Sequence, residues 1–267
     1  MNESTTKGLS EIELKLVSRL TYEGKKIYQL DDIKKYLPNS YNNIKNLIMS
    51  LKNKKILIPI KKSVYIFVPI EFVNRGILVN ELIIPSVFLN LKDYYIGYST
   101  MYNYYNFYEQ KFQVVYVLNT KISKVKKILG ITYNFVKVDR NRIYGFFCKK
   151  LDNIEVPLAT KEKTLIDLIY FNKPVGGIKN AINIFEKEIV SNNVDLEVLI
   201  EFAIKFPVVK TRKIIGFIVE KIVFSSKYKK KLSQLRASID NTSLISITDG
   251  RKGGINKKWG LIINDSL

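Results

Sequence analysis

Pro157-Leu158-Ala159-Thr160-Lys161-Glu162-Lys163-Thr164-Leu165-Ile166-Asp167-Leu168-Ile169-Tyr170 is where the chain changes character: short β-like runs precede it and amphipathic helices follow it. Thr160 suits a helix N-cap and Glu162 suits the positive end of the helix dipole, while Lys163 stands where a capping box would carry Glu or Gln. Leu165, Ile166, Leu168 and Ile169 supply a broad apolar stripe, so the predicted helix packs under the sheet before it. Strands first and helices afterwards predict an α+β fold.

Working upstream, segments 113–118, 131–138, 143–147 and 154–158 are rich in Val, Ile, Tyr and Phe and read as strands of a small mixed or antiparallel sheet. Between them, 121–129 reads as a helix. Residues 93–110 hold Tyr94, Tyr95, Tyr98, Tyr102, Tyr104, Tyr105, Phe107 and Tyr108. Such density invites base stacking, but Tyr98, Met101, Tyr102 and Tyr105 recur at helical spacing, and packing is the stronger reading. Downstream, 177–189, 195–206, 211–224 and 225–237 read as helices, and 244–248 and 259–263 as two closing strands.

The first 75 residues have a different grammar. Leu9, Ile12, Leu16, Val17 and Leu20 mark one helix, ended by Gly24. Asp31 and Asp32 open a short second helix that stops at Pro38. A third, capped by Asn39 or Ser40, lines up Ile44, Leu47, Ile48 and Leu51 and closes in Lys52, Lys54 and Lys55. Two β-rich runs, 56–60 and 64–68, are then joined through Lys61, Lys62 and Ser63. Three short helices and a hairpin follow the order of a winged helix-turn-helix, predicted for 1–75, with a larger α/β domain over 76–267 whose C-terminal section is helical. Opposite its apolar stripe the third helix carries Asn42, Lys45, Asn46, Met49 and Asn53, with Ser40, Tyr41 and Asn43 at its start. Asn pairs with adenine and Lys with guanine or phosphate, so this face is fit to read double-stranded DNA, with Lys61 and Lys62 on the backbone. A solvated polar face is the plain alternative.

Composition narrows the function. The 267 residues hold 44 Lys and Arg against 24 Asp and Glu, a net charge of +20, with 46% hydrophobic residues. A sizeable core and a polyanionic partner are both expected. Between 205 and 258, 14 Lys and Arg face only Glu220, Asp240 and Asp249. A second basic surface of Lys229, Lys230, Lys231, Arg251, Lys252, Lys257 and Lys258 would suit nucleic acid or an acidic protein; a solvated face is the alternative. The single Cys148, a polar start and the absence of a long apolar run predict a cytoplasmic protein with no membrane partner.

With no histidine and one cysteine, zinc sites of the usual kind and His-based catalysis are excluded. No phosphate-cradling loop ends in Gly-Lys-Ser/Thr. Asp139, Glu155 and Glu162 with Lys163 could be strung into a Mg²⁺-dependent nuclease site, but their spacing forms no tight motif and surface carboxylates are the default. The expectation is a protein with no catalytic residues, metal or cofactor.

Several stretches resemble the AbiEi-type antitoxins of bacterial toxin-antitoxin systems. They are the winged-helix-like start, the Tyr-rich 94–110 with its Gln110, Glu162-Lys163-Thr164-Leu165-Ile166-Asp167, the segment from Arg212 through Gly216 to Glu220, and the closing Lys258-Trp259-Gly260-Leu261-Ile262-Ile263-Asn264. Asn106 stands where relatives carry Gly, and Thr100 where they carry Ala. The resemblance implies an autorepressor that binds repeats in its own promoter and whose C-terminal domain counteracts a nucleotidyltransferase-like toxin, directly or functionally. A stand-alone regulator with a ligand-sensing C-terminal domain is the alternative.

Overall fold

Capping and apolar spacing start the first helix, α1 (Glu11–Glu23): Ser10 and Glu13 form a reciprocal capping box, and Gly24 ends it in the left-handed region at φ 67°. The computed structural model describes residues 8–38, 43–73, 80–223, 226–239, 243–248, 250 and 252–264. The expected caps Asn39 and Ser40, and the boundary near 75, lie outside these residues.

After α1 come β1 (Ile27–Gln29), α2 (Leu30–Lys34), α3 (Ile44–Asn53), β2 (Leu57–Lys61) and β3 (Val64–Phe67). The three strands form an antiparallel sheet in the order β1-β3-β2, with Ile66 opposite both Ile27 and Ile58. Leu16, Leu20, Tyr28, Ile33, Leu47, Leu51 and Phe67 fill the core beneath it. The Tyr28 hydroxyl donates to the Leu20 carbonyl, and burial pushes its ionisation up to about 12. These elements belong to one compact unit, 1–88 together with 128–130 and 150–155.

The second unit holds the remaining residues. Most residues of a second sheet lie in it: β4 (Tyr94–Ile96), β5 (Val114–Asn119), β6 (Lys124–Ile128), β7 (Ile131–Lys137), β8 (Phe146–Leu151) and β9 (Ile154–Ala159), in the order β6-β7-β5-β4-β9-β8. It is mixed: β4 is antiparallel to β5 and parallel to β9, and β5 is parallel to β7. The helix α4 (Ser99–Tyr104) follows β4. The Thr100 hydroxyl accepts from the Tyr116 amide and donates to the Val114 carbonyl, tying α4 to β5. Asn106 takes the left-handed conformation at φ 54°, which Asn tolerates better than most residues.

The helix expected over 121–129 is instead the edge strand β6. Buried Asn119 closes β5 in a turn, its Oδ1 accepting from the Lys121 and Ile122 amides, and Leu129-Gly130 then reverses the chain with φ of 55° and 81°. Two positive φ values suit the right-handed twist of paired strands, so backbone pairing overrides a side-chain pattern that fits either structure. The Lys-rich β6 also protects the sheet edge against pairing with other chains.

The helices are α5 (Lys161–Tyr170), α6 (Ile178–Val190), α7 (Leu196–Lys205), α8 (Val209–Ile222) and α9 (Lys229–Ala237). Thr160 caps α5 as expected, accepting from the Lys163 amide. Leu165, Ile166, Leu168 and Ile169 are buried with Phe185, Ile200, Phe206 and Ile215. Among the described residues of the C-terminal section, three short strands stand where two were expected: β10 (Ile245–Ser246), β11 (Gly254–Asn256) and β12 (Leu261–Ile263).

One clamp fastens this end. A Cβ at Gly216 would come within 2.2 Å of the Trp259 ring, so only glycine admits the indole. One turn later Glu220 accepts from Trp259 Nε1 at 2.9 Å and pairs with Lys258. Lys213 donates to the Ser243 carbonyl and Arg212 to the Ser238 carbonyl. The spacing from Arg212 through Gly216 to Glu220 thus has a packing reason.

Candidate functional site

On α3 the apolar stripe of Leu47, Ile48 and Leu51 faces the core, and helical periodicity turns Lys45, Asn46, Met49, Lys52 and Asn53 outward; all five are exposed, as is Asn43. Ser40, Tyr41 and Asn42 lie outside the described residues. At the hairpin tip Lys62 is exposed and Ser63 turns the chain with φ 60°. Lys61 differs from Lys62. Its ammonium donates to the Val87 carbonyl and lies 5.7 Å from the Phe88 ring centre. A contact to a phosphate through Lys61 would therefore compete with contacts inside its own unit.

Besides core packing, an ion pair ties the end of α3 to α1. Glu13 on α1 meets Lys54 just past the end of α3 at 2.6 Å. Burial by itself would raise the Glu13 carboxyl, but hydrogen bonds from Lys54, Ser50 and Ser10 outweigh it and hold it at about 2. Ser10 and Glu13 at capping-box spacing were the available signal; the pairing with Lys54 had none.

The second basic surface is partly neutralised by its own chain. Lys231 pairs with Glu197 and Glu201, and Lys258 with Glu220. Lys229, Lys230, Lys252 and Lys257 are exposed, and Arg251 lies outside the described residues. Among the described residues no three acidic or thiol side chains gather as metal ligands, so Asp139, Glu155 and Glu162 form no such group. Glu162 instead accepts from the Asp195 amide. Of the described helices none is long and apolar enough to cross a membrane.

The Lys163 that was strung into a nuclease site belongs to a different cluster. Lys163 and Asp167, four residues apart on α5, are both fully buried, with Nζ 2.5 Å from Oδ1. Lys163 also donates to the Tyr95 hydroxyl at 2.9 Å, and that hydroxyl donates to Asp167 Oδ2 at 3.1 Å. Arg142 approaches the same carboxylate at 3.8 Å and donates to the Tyr98 hydroxyl at 2.9 Å. Desolvation lowers the Lys163 ammonium despite Asp167, and it raises the Tyr95 phenol, which Asp167 raises further. Tyr94, Tyr95, Tyr98 and Tyr102 are buried, so these rings serve packing, and Tyr95 and Tyr98 also join this polar network.

The chain so described is an α+β protein of two compact units. No protein-family profile and no curated protein matches its sequence. Its fold is similar to the crystal structure of the RV2827C protein from Mycobacterium tuberculosis, with a TM-score of 0.68 and 8% sequence identity over 96% of this chain and 92% of that one. At that identity the likeness is one of fold.

Proposed function

We propose that this chain is a DNA-binding autorepressor and antitoxin of the AbiEi type, without enzymatic activity, whose first unit is a winged helix-turn-helix and whose second unit counteracts a nucleotidyltransferase-like toxin. The observation that carries the DNA half is connectivity. The order α1-β1-α2-α3-β2-β3 with sheet order β1-β3-β2 leaves the outer face of α3 exposed beside a hairpin, the arrangement in which a third helix enters the major groove and a wing meets the backbone.

On this reading Asn43, Lys45 and Asn46 reach base edges and Lys62 a phosphate. The net charge of +20 favours encounter with DNA. The antitoxin half rests on the resemblance of 162–167, 212–220 and 258–264 to that family. Binding to the chain's own upstream DNA is compared with scrambled DNA of equal length across a salt series. A large preference that persists at higher salt is expected; equal, steeply salt-sensitive binding to both would refute the reading. Rescue of growth from the neighbouring toxin tests the second half.

A further inference from the structure

With Lys163 protonated, the buried cluster on α5 holds two cations against one carboxylate. Arg142 and Lys163 face Asp167, the one carboxylate within salt-bridge reach of either cation among the described residues. The other titratable groups around them are the phenols of Tyr95 on β4, Tyr98 at its end, Tyr144 before β8 and Tyr170 at the end of α5. Burial keeps Tyr95, Tyr98 and Tyr144 neutral. Ring faces of Tyr170 and Phe206, 4.4 and 5.0 Å from the guanidinium, soften the charge without cancelling it. A guanidinium does not release its proton, so the imbalance has two remedies: Lys163 gives up its proton, or an anion joins the cluster.

Three further features favour an anion. Arg142 Nε is buried and finds no hydrogen-bond acceptor, although the neighbouring Nη2 is engaged by Tyr98. The Nε edge of a guanidinium is one of those with which it chelates two oxygens of an oxyanion. Tyr98, which holds Arg142, has a φ of 51°, a strained value for a tyrosine and of the kind that persists at ligand clamps. Tyr170, lying against the guanidinium, is 40% exposed, so its ring stands between Arg142 and solvent-accessible surface.

We propose that Arg142 and Lys163 form a receptor for a phosphate-type oxyanion, bound at the Nε edge of Arg142 and admitted by displacement of the Tyr170 ring. Inorganic phosphate and the terminal phosphate of a nucleotide share this chemistry. The test is the thermal unfolding of the full chain in inorganic phosphate against chloride at equal ionic strength, with a nucleoside triphosphate as a parallel arm. A saturable rise in Tm is expected in the wild type and in Lys179→Ala, an exposed lysine on α6. The rise is lost in Lys163→Met, where Arg142 and Asp167 balance, and needs several-fold more phosphate in Arg142→Lys. A larger rise with the triphosphate assigns a nucleotide as the source; equal rises assign free phosphate.

A second measurement needs no variant. If Lys163 simply loses its proton, its lowered folded pKa makes stability increase as pH rises toward the free lysine value, in chloride and phosphate alike. A bound dianion holds Lys163 protonated and abolishes that rise in phosphate alone. An identical pH profile in both salts, or equal phosphate effects on wild type and Lys163→Met, would overturn the proposal.

Discussion

The Lys54 ammonium lies 2.6 Å from the Glu13 carboxylate, so a residue in the first turn of α1 fastens the end of α3. Because the folded carboxyl sits at about 2, below its ordinary 4.5, its contribution is complete above about pH 4.5 and is lost as pH falls through 2. Glu13→Gln is expected to cost up to about 3 kcal/mol at pH 7 and nearly nothing at pH 2. Hydrogen exchange in peptides from α1 and α3, followed from neutral to acid pH, checks this.

If α3 reads DNA as proposed, Asn46→Ala is expected to weaken binding to the chain's own upstream DNA by about 1 to 3 kcal/mol while leaving scrambled DNA unaffected. Lys62→Ala is expected to weaken both and to reduce the salt slope by about 1, whereas Lys61→Ala, whose ammonium is engaged by Val87, has the smaller effect. Titrations at four salt concentrations separate the three outcomes.

Gly216→Ala drives a methyl into the Trp259 ring and is expected to destabilise the second unit by about 1 to 3 kcal/mol. Trp259 is the one tryptophan in the chain, so its fluorescence reports the displacement directly as a red shift. Glu220→Gln keeps the hydrogen bond to Nε1 while losing the charge opposite Lys258, and the emission is expected to stay close to that of the wild type.

Asp167→Asn leaves two buried cations without a counter-charge and is expected to cost about 3 to 5 kcal/mol. Lys163→Met leaves one cation and one carboxylate and is expected to cost less. Chemical denaturation of both variants in chloride at pH 7 ranks them, and the reverse order would contradict the charge count of the cluster.

The periodic apolar residues Leu16, Val17 and Leu20, then Leu47, Ile48 and Leu51, then Leu165 to Ile169, were enough to locate α1, α3 and α5, because an amphipathic helix writes its buried face into its local sequence. The exposed polar face of α3 follows from the same arithmetic. Composition alone set the charge and removed histidine chemistry.

What lay beyond the sequence were the pairings between distant segments. The strand 124–128 carries a pattern that suits either structure, and its place at a sheet edge depends on a partner, β7, that local spacing does not name. Lys163 looked like an imperfect capping residue. Only the packing of α5 against Tyr95, Tyr144 and Phe206 turned it inward to Asp167, with Arg142 brought in from a separate loop. Helix faces are encoded by neighbours in the chain, whereas buried charges, clamps such as Gly216 with Trp259, and strand order are encoded by neighbours in space, and tertiary structure decides those.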